Sequence, residues 1–155
     1  MKIKTIIFVT IFLLISSCGF KIIDQDFSQN YGLAEVNISG DPKISHLIRK
    51  KIKKDKTQKS NSIKINITNE KLKGIAEKNI QNEVTKYDIT IKTKIEALII
   101  NTNKTIKFSV SRSGDYSVED RNTTTLKNEK NLTKSLVNKI TDQIYRDLQV
   151  RVNDF

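Results

Sequence analysis

The segment Tyr87-Asp88-Ile89-Thr90-Ile91-Lys92-Thr93-Lys94-Ile95-Glu96-Ala97-Leu98-Ile99-Ile100 decides the fold of this 155-residue chain. Isoleucine, threonine or alanine occupies every second position from Ile89 to Ile99, and most positions between them are charged or polar. Successive side chains of a strand point to opposite faces of a sheet, so this alternation predicts a strand with one buried and one solvated face. Helices are therefore expected to cover only one side of the sheet.

Three further segments alternate in the same way. Residues 33–38 and 62–68 predict two strands before this segment, and residues 106–118 predict one after it. Residues 101–104 predict a tight connection between the last two strands. Residues 73–83 predict a polar connection on the surface. The sequence therefore indicates four strands.

Two amphipathic helices complete the pattern. Asp41 is the predicted N-cap and Pro42 the first residue of helix one, which extends to about residue 54. Helix two is predicted to begin at Thr124 or Thr125 and to end near Val150. Apolar residues mark the buried face of each helix, namely Ile44, Leu47, Ile48 and Ile52 in helix one and Leu132, Leu136, Ile140, Ile144 and Leu148 in helix two.

Together these elements predict an α+β fold. It is a two-layer sandwich, a roughly four-stranded sheet with two helices on one face, in the order β-α-β-β-β-α. Residues 33–155 are predicted to form this single α/β domain. The order of the strands within the sheet stays open at this stage.

The N-terminus has the order of an export signal. Lys2 and Lys4 precede an uncharged apolar run over residues 5–15, and small residues follow it. This run is shorter than the roughly 20 residues that a transmembrane helix needs. Residues 1–17 are therefore predicted to be a signal peptide.

Ile15-Ser16-Ser17-Cys18 matches the lipobox of bacterial lipoproteins, in which the cysteine thiol takes a diacylglyceryl group. The alternative is an ordinary signal peptide with an incidental cysteine. Cys18 is the only cysteine, so one chain forms neither a disulfide nor a thiolate metal cluster. We expect Cys18 to carry acyl chains such as palmitate, and residues 18–32 to form the lipidated N-terminus and tether. Gly19, rather than aspartate, favours the periplasmic face of the outer membrane in Gram-negative cells.

The formal charge is +11, and removal of Lys2 and Lys4 with the signal leaves 26 basic against 17 acidic residues. Such an excess attracts anions. For an exported chain these are lipopolysaccharide phosphates, anionic lipids or acidic protein surfaces, rather than nucleic acid. The alternative is that the lysine-, isoleucine- and asparagine-rich composition reflects an A+T-rich genome.

Three places are candidates for anion or lipopolysaccharide contact. The first is the basic end of helix one, the second lies on the hydrophilic sheet face, and the third is an arginine that continues the apolar parity of the last strand. The alternatives are a solvated helix end and an arginine whose stem is buried while its guanidinium reaches water. The candidate residues are Arg49, Lys50, Lys51, Lys53, Lys54, Lys92, Lys94 and Arg112.

Motifs of catalysis are absent from the sequence. It contains no glycine-rich phosphate loop, nucleophile elbow or Cys/His cluster, and its one histidine, His46, falls on the solvated face of helix one. We therefore expect a protein that is not an enzyme and that has no catalytic residues, cofactor or metal.

The chain resembles the lipopolysaccharide-assembly lipoprotein family, LptE. The resemblance rests on Cys18-Gly19-Phe20, on the element order, on Asp115-Tyr116-Ser117-Val118, and on a closing helix that ends Thr141-Asp142-Gln143-Ile144-Tyr145-Arg146-Asp147-Leu148. It implies a non-enzymatic outer-membrane subunit that plugs the lipopolysaccharide-exporting β-barrel, assists its assembly and contributes to lipopolysaccharide transport to the cell surface. The barrel, lipopolysaccharide and the membrane are then the expected partners.

A periplasmic regulatory lipoprotein that activates a cell-wall enzyme is the alternative function. Such a protein must cross the periplasmic gap on a long tether. Residues 21–32 reach at most about 40 Å when fully extended at 3.3 to 3.6 Å per residue. This short reach favours a partner in the same membrane.

Overall fold

The computed structural model describes residues 31–52 and 61–153 of the chain. Within these residues, four strands and two helices follow one another in the predicted order β-α-β-β-β-α. They are β1 (Tyr31–Gly40), α1 (Pro42–Lys51), β2 (Asn61–Lys78), β3 (Val84–Ile99), β4 (Lys104–Ser117) and α2 (Asn122–Asn153). The predicted α+β fold class is confirmed.

The four strands form one mixed sheet in the order β1-β2-β3-β4. β1 and β2 are parallel, whereas β2 with β3 and β3 with β4 are antiparallel. Neighbouring parallel strands need a crossover connection, and α1 lies in the one between β1 and β2. The strand order, which the sequence left open, is therefore the order of the chain.

The core lies on one face of the sheet, as the alternation predicts. Alternate positions of residues 63–67 and 89–99 are buried and mostly isoleucine, and the lysines between them are exposed. α1 packs on β1 and β2, α2 packs on β4 and β3, and the two helices contact each other. The buried side chains include Ile63, Ile65, Ile67, Ile89, Ile91 and Ile95 from the sheet, and Ile44, Ile48, Leu136, Val137, Ile140, Ile144 and Leu148 from the helices.

The predicted cap of α1 is confirmed. The Asp41 carboxylate accepts hydrogen bonds from the backbone N–H groups of Lys43 and Ile44, at 2.9 and 3.0 Å. Pro42 occupies the first turn, where its missing N–H leaves no partner unsatisfied. α1 ends at Lys51, and residues 53 and 54 of the predicted helix lie outside the described residues.

Gly40 makes the sharp turn from β1 into α1. Its φ of +106° lies in a region that side chains disfavour, and a Cβ there would lie 1.8 Å from the Asn69 carbonyl oxygen. The buried amide of Asn69 donates to the Ser39 carbonyl at 2.6 Å and to the Ser45 hydroxyl at 2.9 Å. These contacts fix the start of α1 against the sheet.

Two predicted boundaries are wrong. β1 begins at Tyr31, so the last two residues of the predicted tether belong to the sheet. More importantly, residues 73–78 continue β2 instead of forming a surface connection, and only residues 79–83 separate β2 from β3. Backbone hydrogen bonds to β3 stabilise this extension, and they do not depend on the type of side chain. The strand therefore continues beyond the point where the apolar alternation ends.

The Asn79 side chain stabilises the turn between β2 and β3. Its carbonyl oxygen accepts hydrogen bonds from the backbone N–H groups of Gln81 and Glu83, at 3.0 and 2.9 Å. Asn82 supplies the positive φ of +64°, which asparagine tolerates better than most residues.

No helix in the described part of the chain is both long and apolar enough to cross a bilayer.

The packing of α2 on the sheet is testable by a charge inserted at its buried face. Ile144 is 1% exposed, so Ile144→Asp is expected to lower the free energy of unfolding by roughly 3–5 kcal/mol, because it buries an unpaired carboxylate. Lys139 is exposed on the same helix, and Lys139→Asp is the matched control, with a change within about 0.5 kcal/mol. Urea denaturation measures both, and equal losses would contradict the assigned helix face.

Candidate functional site

The basic end of α1 is exposed. Arg49, Lys50 and Lys51 lie in its last turn, and the Lys51 ammonium lies 3.2 Å from the Asp142 carboxylate on α2. Arg49 lines a groove of about 310 Å³ beside the edge strand β1. Lys53 and Lys54, which belong to the same predicted patch, and Cys18 lie outside the described residues.

Lys92 and Lys94 are exposed on the open face of the sheet, which neither α1 nor α2 of the described residues covers. Lys92 stands opposite Glu70 on β2, and Lys94 stands opposite Thr68. Ion pairs join Lys64 to Glu35 at 3.2 Å and Lys107 to Glu96 at 2.9 Å on this face. The lysines here are interleaved with the carboxylates of Glu35, Glu70, Asp88, Glu96 and Asp115.

Arg112 shares the helix-facing parity of β4, as predicted, and its side chain is exposed at the edge of the sheet. Its guanidinium donates to the Ser111 carbonyl at 3.2 Å and to the Gln143 side-chain oxygen at 3.3 Å. Arg146 donates to the same Gln143 oxygen at 2.9 Å. The Gln143 amide in turn donates to Asp147 at 2.6 Å. The structure therefore brings two guanidinium groups to one neutral acceptor.

The structure does not bring the predicted basic residues into one site. Arg49, Lys50 and Lys51 lie on α1, over β1 and β2. Lys92 and Lys94 lie on the opposite side of the sheet, and Arg112 lies at the β4 edge. Three separate surfaces therefore carry the candidate anion contacts.

A charged cluster that sequence reasoning missed joins the β2 extension to α2. The Glu129 carboxylate accepts hydrogen bonds from Lys71 at 2.6 Å, from Lys73 at 3.1 Å and from the Tyr116 hydroxyl at 2.9 Å. The Lys73 ammonium also lies 4.3 Å from the centre of the Tyr87 ring. Continuing the alternation of β2 beyond Thr68 would have placed both lysines on the helix side.

The donors around Glu129 keep it ionised. The hydrogen bond from Lys71 is the largest cause that lowers the pKa of the Glu129 carboxyl, to about 2, and Lys73 and Tyr116 act in the same direction. The hydrogen bond to Tyr116 raises the pKa of Lys73, and burial raises the pKa of the Tyr116 phenol. Near neutral pH the ionised carboxylate therefore joins β2, β4 and α2 through charge-assisted hydrogen bonds.

In residues 31–52 and 61–153, no three His, Cys, Asp or Glu side chains lie close enough together to hold a metal ion.

Solved structures of bacterial lipoproteins share this fold. Rare lipoprotein B from Shewanella oneidensis has a TM-score of 0.56 at 13% identity, over 77% of this chain and 97% of that chain. Lipoprotein B from Nitrosomonas europaea has a TM-score of 0.54 at 14% identity, over 87% and 93%. A lipoprotein from Caulobacter crescentus CB15 has a TM-score of 0.53 at 10% identity, over 79% and 93%. No protein-family model and no curated protein matches the chain.

Because the sequence identities are only 10–14%, these comparisons show a shared fold and nothing more. The chain has a fold that several bacterial lipoproteins adopt, and it spans nearly their whole solved length.

The Glu129 cluster predicts a pH-dependent contribution to stability. Because its pKa is lowered from 4.5 to about 2, the stabilisation is present above about pH 4.5 and is lost as the pH falls toward 2. Glu129→Gln is expected to cost about 1–3 kcal/mol at pH 7, since charge-assisted hydrogen bonds disappear. That difference from the unmodified chain should shrink between pH 4.5 and 2, as measured by urea denaturation.

Asp142→Asn is the control for this prediction. It removes the exposed partner of Lys51, and we expect a loss below about 1 kcal/mol at pH 7. Equal losses in the two variants, or a Glu129→Gln deficit that stays constant down to pH 2, would contradict the assigned role of the cluster.

Proposed function

We propose that this chain is a lipid-anchored lipoprotein on the periplasmic face of the outer membrane, which occupies and supports the β-barrel that exports lipopolysaccharide. The observation that carries the proposal is a bacterial lipoprotein fold in a chain whose N-terminus contains a lipobox. The resemblance to the LptE family, which rests on the start at Cys18 and on the closing helix, is the reason for proposing lipopolysaccharide export as the process.

The direction of the chain supports this arrangement. Tyr31 enters the sheet beside Asn61, at the same end as the turn between β3 and β4. The turn at residues 79–83 lies at the other end of β2, which is 18 residues long and spans roughly 60 Å at about 3.3 Å per residue. An anchored domain would therefore hold this turn away from its lipid.

The reach of the tether and the length of the hairpin fit a partner in the same membrane. Residues 18–30 extend at most about 45 Å, so the domain stays near the leaflet that holds its acyl chains. The β2–β3 hairpin is longer than the roughly 25 Å apolar band of an outer-membrane barrel. A domain of this length would reach through a barrel from its periplasmic side.

The proposed role is not enzymatic. Glu129, the most strongly perturbed carboxylate described, is saturated by donors, and the basic candidates occupy separate surfaces. Contact with lipopolysaccharide would then be secondary to support of the barrel. It would use exposed cations such as Arg49, Lys50 and Lys51, whose attraction to phosphate weakens as salt screens it.

Depletion of the protein is expected to lower assembled barrel and surface lipopolysaccharide together, because both depend on the same complex. A plasmid copy should restore both, whereas Cys18→Ser should restore neither, since serine offers no thiol for diacylglycerol. Immunoblots of folded barrel and surface staining of lipopolysaccharide measure the two outcomes, and intact mass shows whether the chain is acylated.

A triple variant separates barrel support from glycolipid contact. The variant combines Arg49→Glu, Lys50→Glu and Lys51→Glu. It should weaken lipopolysaccharide binding and leave recovery of the barrel unchanged. Added salt should have the same two effects on the unmodified protein. Normal barrel and lipopolysaccharide levels after depletion, with reduced cell-wall synthesis, would contradict the proposal and favour the regulatory alternative.

A further inference from the structure

β4 is a long edge strand of the sheet that the described residues form. It pairs with β3 without a register shift from Lys104 to Ser117, and it contains no proline. Within the described ranges no strand lies beyond it. The other edge, β1, is shorter and has an irregularity between Leu33 and Glu35. A regular edge of this length presents unpaired N–H and C=O groups to another strand.

Two arginines lie together beside this edge. Arg112 of β4 and Arg146 of α2 both donate to the Gln143 side-chain oxygen, at 3.3 and 2.9 Å. Neither forms an ion pair with a carboxylate of the described residues. A guanidinium has five N–H donors and binds carboxylates in a planar, bidentate fashion. This arginine pair therefore retains donors for an acidic ligand.

A third arginine lies further along the same edge. The Arg151 guanidinium is 5.2 Å from the centre of the half-buried Phe108 ring, which holds it over β4. Phe108 and Arg112 are four residues apart on the helix-facing side of β4, a distance of roughly 13 Å at about 3.3 Å per residue. The edge thus carries two positive positions, Arg151 and the Arg112–Arg146 pair.

We propose that β4 binds an extended acidic segment of a partner protein as a fifth strand of the sheet. In an added strand every second residue faces the helix side, so carboxylates four residues apart would meet the two positive positions. The opposite side of β4 carries the small, uncharged residues Ser109, Ser111 and Ser113. Residues of the added strand that face this side therefore need no particular charge. Backbone pairing gives affinity, and the arginines select acidic residues at this spacing.

A peptide of nine residues tests the proposal on the full mature lipoprotein in detergent. The probe consists of threonine and valine, with glutamate at its second and sixth positions, and fluorescence anisotropy measures its Kd. Glutamine at both positions should weaken binding about tenfold or more, because it removes charge-assisted hydrogen bonds. Moving the second glutamate to the fifth position should weaken binding similarly, since it then faces the other side of the strand.

Two N-methylated peptides test the backbone pairing. One carries methyl groups on its odd-numbered amides and the other on its even-numbered amides. A strand added to β4 uses only one set of its amides toward the sheet, so only one of the two peptides should lose binding. Equal binding of both would overturn the added strand.

Substitutions in the protein locate the site. Arg112→Gln with Arg146→Gln should weaken the glutamate peptide about tenfold. Lys43→Gln with Lys78→Gln removes the same charge from α1 and from the far end of β2 and should change Kd less than about twofold, since screening weakens distant charges. Equal effects of the two pairs, or equal binding of glutamate and glutamine peptides, would overturn the proposal. Because this assay contains no barrel and no lipopolysaccharide, its failure is distinct from failure of the proposed function.

Discussion

Burial of a single isoleucine-rich sheet face beneath two helices is the constraint on which this structure depends. Ile63, Ile89 and Ile91 are 0% exposed, as are Ile44 of α1 and Ile140 of α2. Full burial of such a side chain stabilises the fold by about 1.5–3 kcal/mol. One face of the sheet is therefore buried beneath the helices. Its open face, its two edges and the β2–β3 turn are left for solvent and partners.

This division explains how a strongly basic chain avoids one continuous basic surface. On the open face, cross-strand neighbours pair lysine with glutamate, as at Lys64 and Glu35 or Lys107 and Glu96. Opposite charges across strands stabilise a sheet, whereas like charges directly opposite destabilise it. Among the described residues, the cations that form no ion pair with a carboxylate include Arg49 at the end of α1 and Arg112 at the β4 edge. We propose different ligands for the two regions, a phosphate-bearing surface for the first and an acidic strand for the second.

Local patterns predicted most of the fold, because alternation and capping act between near neighbours. The strand around Ile95, the cap at Asp41 and the face of helix two follow from residues a few positions apart. The extension of β2 to Lys78 was missed, since β3 stabilises it through the backbone and its side chains do not alternate. The Glu129 cluster and the convergence of Arg112 with Arg146 were missed for a related reason: each joins a strand to a helix distant in sequence.

We propose that this domain works by occupying a barrel in the membrane that holds its lipid. Site-specific photocrosslinking in growing cells tests it most directly, with the reactive group placed at Ile80, which is 97% exposed in the turn between β2 and β3. We expect a crosslink from Ile80 to an outer-membrane β-barrel protein, identified by mass spectrometry. A crosslink to a cell-wall synthase with no barrel product would contradict it.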